Sequence, residues 1–407
     1  MYRLKLRLLL AILIGLTVIL TACAGNNKDD KDDQTDSVVP DTEATPLPPT
    51  SQSLIVWHGY SGIEQETLEQ IRLQFEVDHP LIDVQFVAFD SNTLLDEFIA
   101  ATNAGSGPDL LLGPAAWVGV LSQQGLLWSF GQDFIDEVSS NLTRPIAETT
   151  MIDGAPFGAA FTLDMVALYY NRTLVKNLPK EYTDLVAQAA IVGMVVPPTF
   201  SATSGLYLSP GESLMDSQGN NLITLPALEK YLTDVQALAA SPGITFSMDQ
   251  ASFLQGGAGF LLAPSTDYRR LKTALGDNLG VLRLPRIVPE EWRTLVQVDC
   301  VMLSLNTTAE AAETARPFIV FLTRSSTQRD WFNQTGLTPV NPAELEEDEL
   351  REAWSSVLER VVGAPLAASF DAVVAPALDR AVQAVALEGQ PPVTVAQNTL
   401  NALQSIE

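Results

Sequence analysis

Four carboxylates stand where a carboxylate is costly or conspicuous: Asp90 behind a strand-like run, Asp164 in the middle of the apolar run 157–171, Asp267 in the polar loop Ser265-Thr266-Asp267, and Asp299 inside the apolar run 294–305. A carboxylate in an apolar run is unfavourable unless it has a partner or reaches a cleft. Asp164 is therefore expected to face a gap between two bodies that the run 157–171 connects. Five rings, Trp57, Tyr60, Trp117, Phe161 and Tyr207, fall close to ends of apolar runs. Carboxylates make strong charge-assisted hydrogen bonds to hydroxyl groups, and rings suit flat apolar faces. The chemistry these residue types offer together is recognition.

The residues that bond-making chemistry would need are mostly missing. His58 and His79 are the only histidines and do not stand at metal-ligand spacing. Gly59-Tyr60-Ser61-Gly62 lacks the second glycine of a nucleophile elbow, and no phosphate-binding glycine loop ends in lysine. Cys300 has no histidine nearby in sequence and reads as a small core residue. Asp216-Ser217-Gln218-Gly219-Asn220 resembles half a calcium loop without the closing glutamate and reads as a plain turn. No cofactor, metal or catalytic residue is expected. Carboxylates that meet in three dimensions keep a secreted glycosidase open as an alternative.

Elements that could position these residues alternate along the chain. The run 54–57 is a short buried-strand pattern, and a helix with Leu68, Ile71 and Phe75 on one face follows. Strands are expected again near Val84–Phe89 and 108–113, with helices after each. This order implies a parallel sheet with helices on both faces, and ligands on such sheets bind beyond the strands' carboxyl ends. Those ends carry Trp57, His58, Tyr60, Asp90, Gly113 and Trp117. After the run 157–171 the alternation resumes: a helix over 182–190, strands over 192–196, 259–263 and 279–284, and a strand pair over 294–305. A helix follows from Asn306, and the tail from residue 344 is alanine-rich and helical. Tyr169 and Tyr170 alternate faces, and two tyrosines also suit ferric iron.

The amino terminus reads as an export signal. Arg3, Lys5 and Arg7 precede the apolar run 8–20, and Leu20-Thr21-Ala22-Cys23 closes it. That ending resembles a bacterial lipoprotein signal, which implies lipid on Cys23 as the first mature residue. Residues 23–53 are acidic, then rich in proline, serine and threonine, and read as an extended tether. The formal net charge is −26. Without the three signal cations the mature chain carries −29; the tether's seven acids and two lysines contribute −5, which leaves −24 on the body. That excess argues against nucleic acid or anionic lipid as a partner. A body of about 354 residues suggests two domains.

The chain resembles the extracellular solute-binding proteins of ABC importers, in particular the large sugar-binding group that includes maltose-binding protein. The resemblance rests on the order and spacing of Trp57-His58-Gly59, Ala104-Gly105-Ser106-Gly107-Pro108-Asp109, Gly125-Leu126-Leu127, Asp164 with Ala167-Leu168-Tyr169-Tyr170-Asn171, Phe253-Leu254-Gln255-Gly256-Gly257-Ala258 and Gly336-Leu337-Thr338-Pro339-Val340-Asn341. It covers nearly all of residues 54–403. It implies an α/β, type II periplasmic-binding fold in which two lobes joined by hinge crossovers close on a ligand. Lobe 1 is expected from 54–163 and 294–340, and lobe 2 from 164–293 and 341–407. It further implies that Gly113 to Trp117, Asp164, and Ser265, Thr266 and Asp267 touch the solute. Trp57, His58, Tyr60, Asp90, Phe161, Tyr207 and Asp299 complete the candidate binding set. Ser265 follows Pro264 where the family often has tryptophan, and Ala115 and Ala116 stand where an acidic residue is usual. The expected protein is a lipid-anchored, extracytoplasmic monomer that takes a small solute, most readily a sugar, to a membrane permease. A polyamine, glycerol phosphate or ferric iron remain alternative solutes, and capture of a partner protein in the same cleft is a third reading.

Overall fold

The computed structural model describes residues 52–216, 218–367 and 369–404. The signal, Cys23 and all but the last two positions of the tether lie outside the described residues. Among the described residues no helix is long and apolar enough to cross a membrane.

The first sheet starts with three parallel strands, β1 (Gln52–His58), β2 (Ile82–Ala88) and β3 (Leu110–Pro114), in the order β2-β1-β3. The helices α1 (Ile63–Asp78) and α2 (Leu94–Asn103) connect them. In α1 the buried Leu68, Ile71 and Phe75 follow the helical repeat, so one stripe is buried while Glu66 faces water. In β1 burial alternates through Leu54, Val56 and His58, as a strand with one covered face must. β3 is buried along Leu110, Leu111, Leu112 and Gly113, because helices cover both of its faces.

The long strand Gly158–Asn171 belongs to two sheets. Its first half pairs antiparallel with the strand Leu295–Ser304, which also pairs antiparallel with β3. Its second half pairs antiparallel with Phe260–Pro264 and Leu279–Leu282, and the parallel strands Met194–Val196 and Ile244–Phe246 extend that second sheet. Almost every residue of this strand is buried, Asp164 being the partial exception. It is thus the shared wall of two α/β bodies.

Two details differ from the sequence expectations. The run 294–305 is one strand, Leu295–Ser304, not a pair. It holds no glycine or proline, and neighbours on both sides pair along it with a single register shift at Asp299/Cys300. The tail after residue 341 does not stay with the second sheet: Val362–Gly363 lies parallel to Leu295 and Val296 of the first-sheet strand. From there a strap crosses helix α3 (Ala116–Gln123), where the Leu366 carbonyl packs so closely that a Cβ on Gly119 would lie 1.8 Å from it. The strap continues through the π-helical turn Phe370–Val374 into the helices Ala375–Ala386 and Pro392–Gln404, which pack with Leu225–Ala239 beside the second sheet.

Candidate functional site

Where the shared strand passes from one sheet to the other, Asp164 stands opposite Gln297, and Thr162 stands opposite Asp299. Asp299 in turn stands opposite Pro114 at the end of β3. Directly opposed residues on antiparallel strands point to the same face, and so do residues two apart. Gln297 and Asp299 therefore share one face, which is turned toward the exit of β3.

A cavity of about 140 Å³ opens on that face. Its walls are Pro114, Ala115 and Ala116 of the β3 exit, Thr149 at the end of the short helix Arg144–Glu148, the stretch from Val296 to Asp299, and Ala364, Leu366 and Asp371 of the strap. Polar Thr149, Gln297, Asp299 and Asp371 thus face a set of small apolar groups. The volume is below the ~300–1,000 Å³ usual for drug-sized ligands, so in this conformation it suits one end of a solute.

Asp299 is the carboxylate most tightly built into this wall. Its Oδ2 accepts a hydrogen bond from the Tyr60 hydroxyl at 2.7 Å. Burial pushes its pKa up to about 6, against the Tyr60 hydrogen bond and with help from the nearby negative charge of Glu64. Tyr60 packs edge-on to Trp331, with ring centroids 5.3 Å apart. The Tyr60 backbone N–H donates to His58 Nδ1 at 3.2 Å. The histidine is neutral, because burial lowers its pKa to about 4. With Nδ1 accepting, the ring proton is on Nε2, which is buried without a hydrogen-bond partner.

Asp164 anchors a second group. Its Oδ1 accepts from the Ser265 hydroxyl at 3.0 Å and from the Thr266 backbone N–H at 3.4 Å. Burial raises its pKa, and these donors, with the N–H groups of Met165 and Ser265, oppose the rise. Ser265 is fully buried; its oxygen also accepts from the Thr338 hydroxyl at 2.7 Å and from the Met165 N–H at 3.2 Å. Asp267 is held by Gln250 at 2.8 Å and by an ion pair with Arg270 at 2.9 Å.

The remaining sequence-predicted positions are distributed differently. Gly113 is where Trp117 folds back: a Cβ there would lie 2.5 Å from the indole ring, so the absence of a side chain lets Trp117 lie over the end of β3. Trp57 is half-buried and packs against Phe89, with centroids 4.3 Å apart. Asp90 is exposed and closes a turn by accepting from the Asn92 N–H.

Three expectations are corrected by burial. His58 lies on the covered face of β1 with Leu54 and Val56, because the period of a strand is two. Phe161 is the extra residue of a β-bulge: Asp299 pairs with Thr162, yet Cys300 pairs with Ala160. Its ring is fully buried against Trp331 at 5.1 Å. Tyr207 lies on the buried helix Gly205–Leu208, wedged against Phe200 and Tyr231, with its hydroxyl on the Ser213 carbonyl. None of these three rings offers a face to the cavity in this conformation.

Sequence reasoning missed Thr149, Gln297 and Asp371 as wall residues. Gln297 was accessible through its spacing of two from Asp299. Nothing local marks Thr149 or Asp371, which the fold brings in from distant segments. Cys300 is buried, and burial pushes its thiol well above the ordinary value. Among the described residues no three His, Cys, Asp or Glu side chains cluster to hold a metal ion.

Two α/β bodies sharing a strand define a periplasmic-binding-type fold. The chain belongs to the bacterial extracellular solute-binding protein family, whose model matches residues 70–355. It is 23% identical over 314 residues to a binding protein of Brucella abortus, covering 71% of this chain and 76% of that one. The extracellular solute-binding protein of Staphylococcus aureus, solved with maltose, superposes with a TM-score of 0.76 at 16% identity, over 88% of this chain and 98% of the other. A cyclo/maltodextrin-binding protein solved with maltotetraose gives 0.75 at 20% identity, over 88% and 97%.

Proposed function

We propose that this chain captures a carbohydrate in the cavity beside the shared strand and releases it unaltered to an ABC permease, while lipid on Cys23 and the acidic tether hold it outside the cytoplasmic membrane as a monomer. The observation that carries the reading is the cavity itself. It sets hydroxyl, amide and carboxylate groups of Thr149, Gln297, Asp299 and Asp371 against the small apolar surface of Pro114, Ala115 and Ala116. A sugar presents the complement: hydroxyl groups at its rim and C–H faces between them. Relatives solved with maltose and maltotetraose support the solute class. Tyr60 reaches this wall through its hydrogen bond to Asp299, and Trp117 follows the lining residue Ala116 in the chain.

The mechanism is conformational. Parting of the two bodies opens the cavity, and contacts from both favour closure. Moving from mostly open to mostly closed requires the solute to prefer the closed form by about 5 kcal/mol. Thermal-shift and calorimetric titration of the mature protein with mono- and oligosaccharides tests this. The expected result is saturable binding without turnover, with about 2.7 kcal/mol of stabilisation at one hundred times the dissociation constant. Hydrolysis of a glycoside, or no stabilisation by any sugar, overturns it.

A further inference from the structure

The charge of the cavity is one-sided, and its bearing on solute choice rests on the proposal that this cavity takes the solute. Its wall holds two carboxylates, Asp299 and Asp371, and no lysine, arginine or histidine. Asp371 has no hydrogen bond or ion pair among the described residues. The residue is exposed, yet its carboxyl is desolvated enough for burial alone to raise its pKa. Asp299 uses one oxygen for the Tyr60 hydroxyl and leaves the other without a partner. The nearby Glu64 adds further negative charge. Asp164 differs: hydroxyl and amide donors from its own chain already answer it.

No basic side chain among the lining residues offsets this charge. Arg270 is bound to Asp267, and Arg144 to Glu148. The sequence as a whole carries −26. A field of that sign draws cations toward a cleft and repels anions. A phosphorylated or acidic sugar would meet two like charges and no counter-ion, whereas an ammonium group would supply a donor to Asp371 and to the second oxygen of Asp299. Hydrogen bonds between charged partners are about twice as strong as those between neutral groups. Gln297 remains for hydroxyl groups on the same small ring, and Thr149, whose hydroxyl donates to the Ile146 carbonyl at 2.6 Å, is left to accept from one.

We propose that the cavity selects an amino sugar: a solute whose protonated amine sits between Asp371 and the free oxygen of Asp299, with its hydroxyls on Gln297 and Thr149. The test is calorimetric titration of the mature protein with glucosamine, galactosamine and short glucosamine oligomers. The same-length N-acetylated oligomers and maltodextrins serve as neutral counterparts. Titrations run at a pH where the amine is charged, in low and high salt. The aminated sugars are expected to bind roughly tenfold or more tighter than their neutral counterparts, and only their binding should weaken with salt. Asp371→Asn should shrink that ratio toward one.

Equal or tighter binding of the neutral sugars overturns the amino-sugar inference and leaves the carbohydrate proposal intact. Tighter binding of spermidine than of any aminated sugar also overturns it, since charge alone would then suffice. If no sugar of either kind binds, the carbohydrate proposal falls and this inference falls with it. A ratio unchanged in Asp371→Asn, with the salt effect also absent, rejects the assigned contact even if aminated sugars bind well.

Discussion

The two carboxylates of the shared strand and its partner, Asp164 and Asp299, sit only two pairing steps apart, since Asp164 faces Gln297 and Thr162 faces Asp299. Their surroundings differ sharply. Asp164 is enclosed by donors from the loop that follows Phe260–Pro264, and Ser265 links it to Thr338 beside the same strand. Asp299 has one donor, an elevated pKa and a cavity on its other side. Asp164 is thus committed to joining two sheets, while Asp299 is left in want of a partner. A group held unsatisfied in the folded protein lowers stability and is available to a ligand. That contrast separates a structural carboxylate from a binding one more reliably than burial alone.

The largest expected effect tests the Asp299 side. Its folded pKa, about 6, exceeds the ordinary 3.8. Between these values the unfolded chain loses the proton and the folded chain keeps it, so this group's contribution is full below about pH 4 and is lost as pH rises toward 6. Asp299→Asn should therefore raise stability at pH 7 by up to about 3 kcal/mol, while weakening solute binding. His58 has the opposite sign: its pKa falls from 6.5 to about 4. Its contribution is present above 6.5 and is lost as pH falls to about 4. The two slopes oppose each other in the natural protein, so Asp299→Asn should expose a fall in stability on acidification from 6.5 to 4. Urea unfolding at half-unit pH steps measures both; an unchanged profile refutes the assignment.

On the Asp164 side, Ser265→Ala removes a hydroxyl that serves Asp164, Thr338 and the Met165 N–H at once. Leaving buried partners unpaired should cost about 1–3 kcal/mol, read as a lower urea midpoint with an unchanged slope. Gly119→Ala probes the strap, whose Leu366 carbonyl occupies the space of the new methyl. About 1–2 kcal/mol of destabilisation is expected, with faster hydrogen exchange confined to the strap and α3. The smallest effect should come from Asp371→Asn, within about 0.5 kcal/mol of the natural protein, since no internal contact is lost. A large destabilisation there would show that Asp371 has a structural partner and would erase its contrast with Asp164.

Much of this frame is legible in the chain alone. The helix stripe Leu68, Ile71 and Phe75 and the alternation of strands and helices follow from apolar spacing, which local geometry enforces. The long run containing Asp164 is legible as a connection because a carboxylate there demands an explanation. Phe161 reads as an available ring, but the bulge opposite Asp299 and Cys300 makes it the extra residue, and its ring is buried against Trp331. His58 was misjudged because its position after an apolar run suggested a loop, whereas β1 includes it on the covered face. Thr149 and Asp371 carry no local mark at all.

The amino-acid sequence by itself determined the α/β class of fold, the acidic excess and the strand on which two bodies meet. These depend on composition and short-range periodicity, which act along the chain. Only the tertiary structure decided which carboxylate is satisfied and which is left open. That depends on donors contributed by residues a hundred or more positions away, such as Ser265 for Asp164 and Tyr60 for Asp299. It also depends on the strap that brings Asp371 to the cavity. Hydrogen bonds form over a few ångströms of space, and no spacing along the chain records which distant donor will arrive there.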